Sequence, residues 1–305
     1  MEAHDFAAKQ RYLVVDLSGG ADAERHPFHW TDDEPDLSAG VCRTSELWLR
    51  HIPAGTFMMG SPEDELGHRS DEVLHRVTLT RDYLMGIFPV TQRQWELVTG
   101  NNPSWHWRPG MRNKPSGSGN IGPGAPVECV SYDDICGRDR PWPANGDVAA
   151  DSFLGRLRAK TGLAGFDLPT EAQWEYACRA GSTTALNNGK NLTCTHGLCP
   201  NLDEVGWFDK NSGSTTCAVG VKRPNAWGLY DMHGNVWEWC RDFYDKPYGG
   251  DATDPAGPVS GSERVCRGGS WYYDARGCRS ASRINYYPGG RSLNLGFRLA
   301  LVPVQ

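Results

Sequence analysis

Features typical of membrane and nucleic-acid-binding proteins are missing from this 305-residue chain. No stretch approaches the run of about 18 apolar residues that a membrane-spanning helix requires. The net charge is -6, and basic residues do not form a stripe, apart from four arginines near the C-terminus. Because nucleic-acid binding leaves a basic footprint, we expect neither a nucleic-acid partner nor a membrane span.

A secretory leader and a zinc-binding pattern are also missing. The first twenty residues have no basic segment, and their short apolar run LVVDL predicts a strand rather than a signal peptide. Cytoplasmic location is therefore the default expectation, with export or surface display left open. The ten cysteines fit no zinc spacing, so we expect reduced thiols. Cys194 and Cys199 are close enough to bridge in an oxidising compartment, but the sequence does not give the connectivity.

Glycine, proline and large aromatic residues are plentiful. The chain has 36 Gly and 20 Pro, together with 12 Trp and 11 Tyr. Disordered chains are poor in large aromatics, so this composition indicates an ordered, loop-rich fold whose rings are buried or used in binding. A few helices among many short strands predict a mixed α+β domain.

Three helices are predicted from their capping residues. Thr91 with Gln94 and Thr170 with Gln173 have the spacing of the capping box, in which each end of the motif satisfies the backbone of the other. Glycines end the apolar pattern after each helix. The predicted helices cover residues 92–99, about 148–160, and 171–180.

Alternating apolar and polar residues predict strands in the N-terminal third. Segments 46–61 and 75–86 show this alternation and could pair across the acidic connection 62–72, which we interpret as a solvated loop. Residues 1–45 predict a small N-terminal extension that packs on a main domain over 46–305.

Five segments, in order, resemble the formylglycine-generating-enzyme (sulfatase-modifying factor) family. They are IPAGTFMMGS (52–61), FPVTQRQWELV (88–98), DLPTEAQWEYACRAG (167–181), GLYDMHGNVWEWC (228–240), and RGGSW with GFRLA (267–271 and 296–300). The resemblance covers about residues 46–301. It implies the C-type lectin fold of the formylglycine-generating-enzyme subtype, which is loop-rich with few helices and many short strands.

The resemblance also implies a structural calcium site in the fourth segment. The residues carried over are Asp231, Gly234, Val236 and Glu238. Calcium takes six to eight oxygen ligands, and a tight glycine turn with flanking carboxylates supplies several. Asp231 stands where family members often have Asn, so its charge could strengthen a calcium site or simply cap a turn.

The catalytic copper site of the family is incomplete in this sequence. Family enzymes bind copper with two cysteines, at the third and eighth positions after the serine of the GGS turn. Those positions are Tyr273 and Cys278 here. A phenol does not replace a soft thiolate ligand, so we expect no copper, no catalytic residues and a buried Cys278. Cys266, the nearest other thiol in sequence, could approach only by a different geometry.

The C-terminal segment, about 267–300, resembles the variable region of proteins diversified by retroelements on this fold. The framework matches are 267–271, Ala275, Arg276, 278–281, Arg283, Pro288, Arg291 and 296–299. The intervening residues are the predicted ligand contacts: Tyr272, Tyr273, Asp274, Gly277, Ser282, Ile284, Asn285, Tyr286, Tyr287, Gly290, Ser292, Leu293 and Asn294.

The residue types at these thirteen positions are those of binding surfaces. Tyr gives rigid amphipathic contacts, and Ser, Gly and Asn adapt to a partner. The opposite interpretation makes the four tyrosines core aromatics, but a YY pair followed by Asp or by Pro-Gly-Gly is typical of loops. The fixed arginines 276, 279, 283 and 291 are expected to hold the loop through hydrogen bonds, with a direct binding role left open.

The sequence therefore predicts a non-catalytic binding protein whose partner is a protein or a cell-surface ligand of variable identity. The alternative is a divergent copper oxidase, or an accessory protein, that acts on cysteine-containing peptides. A third interpretation is a family member with fixed binding duties and no diversification.

Overall fold

A six-stranded antiparallel sheet forms the frame of the fold. The computed structural model describes residues 11–106, 122–138, 148–245 and 250–302. The strands are β1 (Tyr12–Asp16), β2 (Phe28–Thr31), β3 (Glu46–Ile52), β4 (Gly55–Met59), β5 (His75–Leu79), β6 (Tyr83–Gly86), β7 (Phe166–Asp167), β8 (Gly206–Trp207), β9 (His233–Gly234), β10 (Trp237–Phe243), β11 (Ala252–Thr253), β12 (Arg264–Arg267), β13 (Arg283–Tyr286), β14 (Leu295–Phe297) and β15 (Ala300–Leu301). The frame has the strand order β2-β1-β3-β6-β15-β7.

The N-terminal strands belong to this frame. β1 is fully hydrogen-bonded between β2 and β3, with Leu13 opposite Leu49 and Val15 opposite Leu47. The predicted strand at 11–17 is therefore present. The polar sequence between Ser18 and Gly40 predicts an irregular stretch, and this prediction is wrong at β2, which pairs with β1. The division between an extension and a main domain stays a prediction.

A second sheet, of four strands, carries the C-terminal segment in the order β13-β12-β10-β14. β12 is antiparallel to β10 and β13, while β14 runs parallel to β10. β10 is central, and Trp237 and Trp239 are buried on it. A third sheet has the order β11-β5-β4, and β8 pairs with β9.

The helices are short and closely follow the capping signals. They are α1 (Gln92–Thr99), α2 (Tyr132–Cys136), α3 (Phe153–Thr161), α4 (Glu171–Arg179) and α5 (Pro200–Asp203). The capping boxes at Thr91 and Thr170 are both formed, which confirms the first and third predicted helices. In the part of the chain that the structure describes, no helix combines the length and apolarity needed to cross a membrane.

Two predicted boundaries are wrong. α3 begins after Ser152 rather than near Val148, because the Ser152 hydroxyl accepts from the Gly155 amide and so caps the helix there. α4 ends at Ala180, which takes the left-handed conformation one residue before the predicted stop at Gly181. Both differences arise at helix ends, which the pattern of apolar residues predicts less well than the helices themselves.

The alternating segments divide into two strands each. The 46–61 segment forms β3 and β4, and the 75–86 segment forms β5 and β6. The predicted pairing is confirmed twice over: β4 pairs with β5, and β3 pairs with β6, both antiparallel. The two pairs lie in different sheets because each segment breaks at a short turn.

Three hydrophobic clusters make up the core. One includes Trp95, Trp237, Trp239 and Phe297, and a second includes Trp174 and Cys178. The third packs residues 185–208 against Ala275 and Cys278, which belong to a short 3-10 helix in the C-terminal segment. This third cluster fixes the base of the candidate binding surface.

Candidate ligand-binding surface

A surface groove of about 780 Å³ lies against the first part of the C-terminal segment. One wall consists of predicted contact residues: Tyr272, Tyr273, Asp274, Gly277 and Ser282. Arg276 lies among them. Gly67, His68, Arg69 and Thr195, which come from two distant loops, also line the groove.

The turn after β12 aims the tyrosines into the groove. Gly268 and Gly269 both have positive φ, +99° and +78°, a conformation that glycine adopts without strain. A Cβ on Gly269 would lie 2.6 Å from the Cys278 sulfur, so this turn closes tightly over the third cluster. Asp274 then caps the 3-10 helix by accepting from the Arg276 amide.

Tyr272 and Tyr273 are held at their backbones and rings while their phenols face outward. The exposed fraction is 68% for Tyr272 and 37% for Tyr273. The Tyr273 ring packs edge-on against Trp237 with centroids 5.2 Å apart, and Tyr272 packs similarly on Trp271. The Tyr273 carbonyl also accepts from the Asp209 amide at 3.0 Å. Such fixed aromatic rings lose little entropy when a ligand binds.

The remaining predicted contacts lie on β13 and in the turns that follow it. Tyr287 is 65% exposed and Leu293 is 38% exposed. Tyr286 is half-buried against Trp239, so the four tyrosines do not behave alike. Ser282 is 1% exposed, which makes it the single buried member of the predicted set, although it lines the floor of the groove.

Framework and contact positions differ in burial. The framework residues at 267–271, 278–281 and 296–299 are buried. Twelve of the thirteen predicted contacts are at least partly exposed, since Ser282 alone is buried among them. This is the arrangement of a rigid support that presents interchangeable side chains.

Arg279 ties the segment to the loop between β4 and β5. Its buried guanidinium donates to both carboxylate oxygens of Glu72, at 2.6 and 2.7 Å, and to Glu65 at 2.8 Å. It also donates to the carbonyls of Gly67 and Arg276. The acidic connection 62–72 was expected to be a solvated loop. That interpretation is wrong for Glu65 and Glu72, because the buried arginine requires their charge.

Arg267 and Arg283 use the carboxylates of α4 in the same way. Arg267 pairs with Glu175 and donates to the carbonyls of residues 280, 281 and 282. Arg283 makes a bidentate pair with Glu171 at 2.7 and 2.8 Å. The expected role of the arginines in holding the loop is thus visible in the contacts. Arg276 and Arg291 are exposed and pair with Asp274 and Asp134 respectively.

His233 supports the 3-10 helix from below. Its Nδ1 lies 2.7 Å from the Cys278 carbonyl, and its Nε2 accepts from the Asn187 amide at 3.0 Å. This pattern requires a neutral ring. Burial lowers the pKa of His233 to about 4, with Arg179 acting in the same direction.

Cys278 and Cys266 do not resemble the paired copper ligands of the family enzymes. Cys278 and Cys266 are both fully buried, but they lie in different hydrophobic clusters. Burial raises the pKa of each thiol well above its usual value, which disfavours the thiolate that binds metal. Across the described ranges, no group of three or more His, Cys, Asp or Glu side chains could hold a metal ion.

The Glu238 side chain does not fit the calcium role that the resemblance implies. Arg298 donates to both of its oxygens, at 2.8 and 3.0 Å, and the Trp174 indole donates at 2.6 Å. Asp231 accepts from the Gly220 amide and from Asn235, and burial raises its pKa to about 6. These contacts favour the turn-capping alternative for Asp231. The calcium site over Asp231, Gly234, Val236 and Glu238 stays a prediction.

Sequence reasoning missed one wall of the groove. Gly67, His68 and Arg69 lie about two hundred positions before the tyrosines that line the same groove, and Thr195 lies in a loop without a motif. One signal was available for the first loop. Buried arginines need carboxylates, and the acidic connection was the richest source of them.

Comparison with known proteins places the chain among characterised relatives. A family model for the sulfatase-modifying factor enzyme 1-like domain matches residues 41–302. The formylglycine-generating enzyme of Mus musculus is 38% identical over 311 residues, covering 92% of this chain and 82% of that enzyme. That of Streptomyces coelicolor is 38% identical over 151 residues, covering 45% of this chain and about half (47%) of the enzyme.

One solved structure is similar over most of its length. Treponema denticola variable protein 1 superposes with a TM-score of 0.65 at 32% identity. The match covers 85% of this chain and 96% of that protein.

Proposed function

Because the chain belongs to the sulfatase-modifying factor enzyme 1-like family, we propose that it is a non-catalytic ligand-binding branch of that family. In this proposal its C-terminal segment, diversified by a retroelement, binds a protein or cell-surface ligand. The predicted α+β C-type lectin fold of the formylglycine-generating-enzyme subtype is confirmed by the family match and the solved neighbour. The resemblance to variable proteins is confirmed by that neighbour.

The observation that carries the proposal is the division between fixed and exposed residues after β12. Three framework arginines, Arg267, Arg279 and Arg283, are buried against carboxylates of α4 and of the 62–72 loop, and each ion pair constrains the backbone nearby, while Arg276 and Arg291 are exposed. The residues between them face solvent or the groove. Exchange of exposed side chains costs little folding energy, so such a surface can change its ligand without losing its fold.

The thirteen predicted contacts act as the binding surface in this proposal. Tyr272 and Tyr273 provide rigid aromatic contact beside the groove, and Tyr287 and Leu293 extend the surface beyond β13. Asp274 and Arg276 provide an exposed ion pair, in which two guanidinium N–H groups donate to Oδ2 of Asp274, within reach of a polar ligand. A protein partner suits this mixture of aromatic and polar side chains better than a small apolar ligand does.

The proposed absence of catalysis is supported by the residues at the two positions where the family enzymes bind copper. Tyr273 offers a phenol packed on Trp237, and Cys278 is a buried thiol that caps a glycine turn. A copper(I) titration of the reduced chain, compared with Cys278→Ala, tests this point. We expect weak, identical binding by both. Tight binding lost in Cys278→Ala would instead support the divergent copper oxidase.

The neighbouring DNA and natural isolates test diversification. We expect a reverse transcriptase gene and a near-copy of the segment rich in AAC codons beside the coding sequence. We also expect isolates that differ at the thirteen positions while the framework arginines stay fixed. A neighbourhood without either element, or isolates identical over 272–294, would overturn the proposal in favour of a fixed binding protein.

A further inference from the structure

A short loop over residues 193–199 reaches the groove beside Asp274. Thr195 lines the groove, and His196 places its Nδ1 3.2 Å from Oδ2 of Asp274. Both residues lie between two cysteines, Cys194 and Cys199. The position of this loop therefore determines part of the groove wall.

The two thiols lie beside each other. The Cys194 sulfur is 3.4 Å from the carbonyl oxygen of Leu198, which belongs to the peptide bond leading into Cys199. Burial and the neighbouring Cys199 side chain both raise the pKa of Cys194. Rotation of the partly exposed Cys194 side chain about its Cα–Cβ bond moves its sulfur relative to Cys199, and a disulfide requires the two sulfurs to come about 2.05 Å apart.

We propose that Cys194 and Cys199 are a reversible disulfide site whose oxidation fixes the 194–199 loop against the groove. Cys199 is already immobile, because it is buried in the same hydrophobic cluster as Ala275 and Cys278. The bond would tie the Cys194 end of the loop to that cluster. Thr195 and His196 would then be held at one distance from Asp274.

The oxidant is a low-molecular-weight disulfide such as oxidised glutathione. The partly exposed Cys194 thiolate attacks one sulfur of the disulfide, forming a mixed disulfide and releasing one glutathione thiol. Cys199 then attacks the Cys194 sulfur, forms the internal bond and releases the second thiol. The two protein thiols lose two electrons and two protons, and one glutathione disulfide becomes two thiols.

The other buried cysteines are poor competitors for this reaction. Burial raises the pKa of Cys178 and Cys217 to about 12, which leaves little thiolate. At Cys199 burial opposes the thiolate, but hydrogen bonds, of which those from Thr193 are the largest, lower the pKa overall. The second step of the exchange is therefore favoured at Cys199 over Cys178 and Cys217, at which burial outweighs the neighbouring groups.

A redox titration of the whole chain tests bond formation. The reduced protein is equilibrated over a series of glutathione ratios, alkylated, digested and weighed by mass spectrometry. We expect the Cys194–Cys199 peptide to lose two hydrogens at a more reducing ratio than any other pair. Cys199→Ser should stop at a glutathione adduct on Cys194, while Cys129→Ser should behave as the parent. Alkylation of both thiols across the series, or an adduct that never resolves in the parent, would overturn the proposal.

Hydrogen exchange tests the link to the groove without needing a ligand. We expect amide exchange over 194–199 and over 274–277 to slow several-fold on oxidation, and to be unaffected in Cys194→Ser. An oxidised chain with unchanged exchange at 274–277 would refute the link. The consequence for binding rests on the proposed function, but neither experiment does. A negative result in the redox or exchange experiment would therefore not affect the proposed binding function. A negative result in a binding experiment would not affect the proposed disulfide.

Discussion

At the scale of single residues, buried charge explains why the framework is fixed. Arg279, Arg283 and Arg298 each meet both oxygens of one glutamate inside the protein. Removing one member of such a pair leaves an uncompensated buried charge, which is far more costly than losing the same pair at the surface. The sequence predicted that the arginines hold the loop. It could not predict their partners, because an ion pair between residues two hundred positions apart leaves no local pattern.

Arg279→Ala should destabilise the fold by about 3–5 kcal/mol, since Glu65 and Glu72 would lose their cation. The matched control is Arg291→Ala. Its pair with Asp134 is about half exposed, so the cost should stay within about 1 kcal/mol. Urea unfolding followed by circular dichroism measures both. Equal costs for the two variants would contradict the role given to the buried pair.

His233 should make stability fall on acidification. Its folded pKa of about 4 lies below the unfolded value of about 6.5, so the unfolded chain binds the extra proton first. The contribution of His233 to the unfolding free energy is therefore fully present above pH 6.5. It is lost as the pH falls toward 4, by about 3 kcal/mol at most. The raised pKa values of Asp231 and Asp242 have the opposite slope, so the parent must be compared with His233→Gln.

The comparison is made by denaturant unfolding at several pH values between 4 and 8. Gln can accept from the Asn187 amide and donate to the Cys278 carbonyl at any pH. Its stability relative to the parent should therefore rise as the pH falls. If the difference in unfolding free energy between the parent and His233→Gln did not change with pH, the pKa of His233 would be the same in the folded and unfolded chains, which would contradict this prediction.

At the scale of elements, helix ends could be predicted from local sequence, but the pairing of strands distant in sequence could not. Thr91 and Thr170 predicted α1 and α4 correctly, because a capping box is complete within four residues. The 46–61 segment was predicted as one strand but divides between two sheets. Which sheet a strand joins depends on partners such as β15, which lies at the far end of the described chain.

The β10–β14 pair gives a prediction about calcium. Glu238 on β10 is bound by Arg298, which follows β14, so an ion would have to displace a buried guanidinium. We expect the melting temperature to be the same in millimolar calcium and in EGTA. A bound ion at a hundred times its Kd would add about 2.7 kcal/mol and raise the melting temperature by several degrees. Such a rise, lost in Glu238→Gln, would restore the calcium site.

At the scale of the whole molecule, a scaffold of buried residues supports a surface formed by the C-terminal segment and by two loops that come from elsewhere in the chain. The prediction of the thirteen contacts rests on the alternation of framework and intervening residues in the sequence, and twelve of the thirteen are at least partly exposed. The wall formed by His68, Arg69 and Thr195 could not be predicted, since it depends on where two loops fold back. The scaffold should tolerate change on the tyrosine side of the groove and resist it at the floor.

A library randomised at the thirteen positions separates these two cases. Tyr272→Ser and Tyr287→Ser change side chains that are about two-thirds exposed, so stability should shift by no more than about 0.5 kcal/mol. Ser282→Tyr must fit a large ring where the side chain is 1% exposed, and overpacking should cost about 1–3 kcal/mol. Sequencing of clones that survive a protease challenge should therefore recover most residue types at 272 and 287 but only small ones at 282. Large residues recovered freely at 282 would mean that the floor of the groove opens, and would return Ser282 to the exchangeable set on equal terms with the tyrosines.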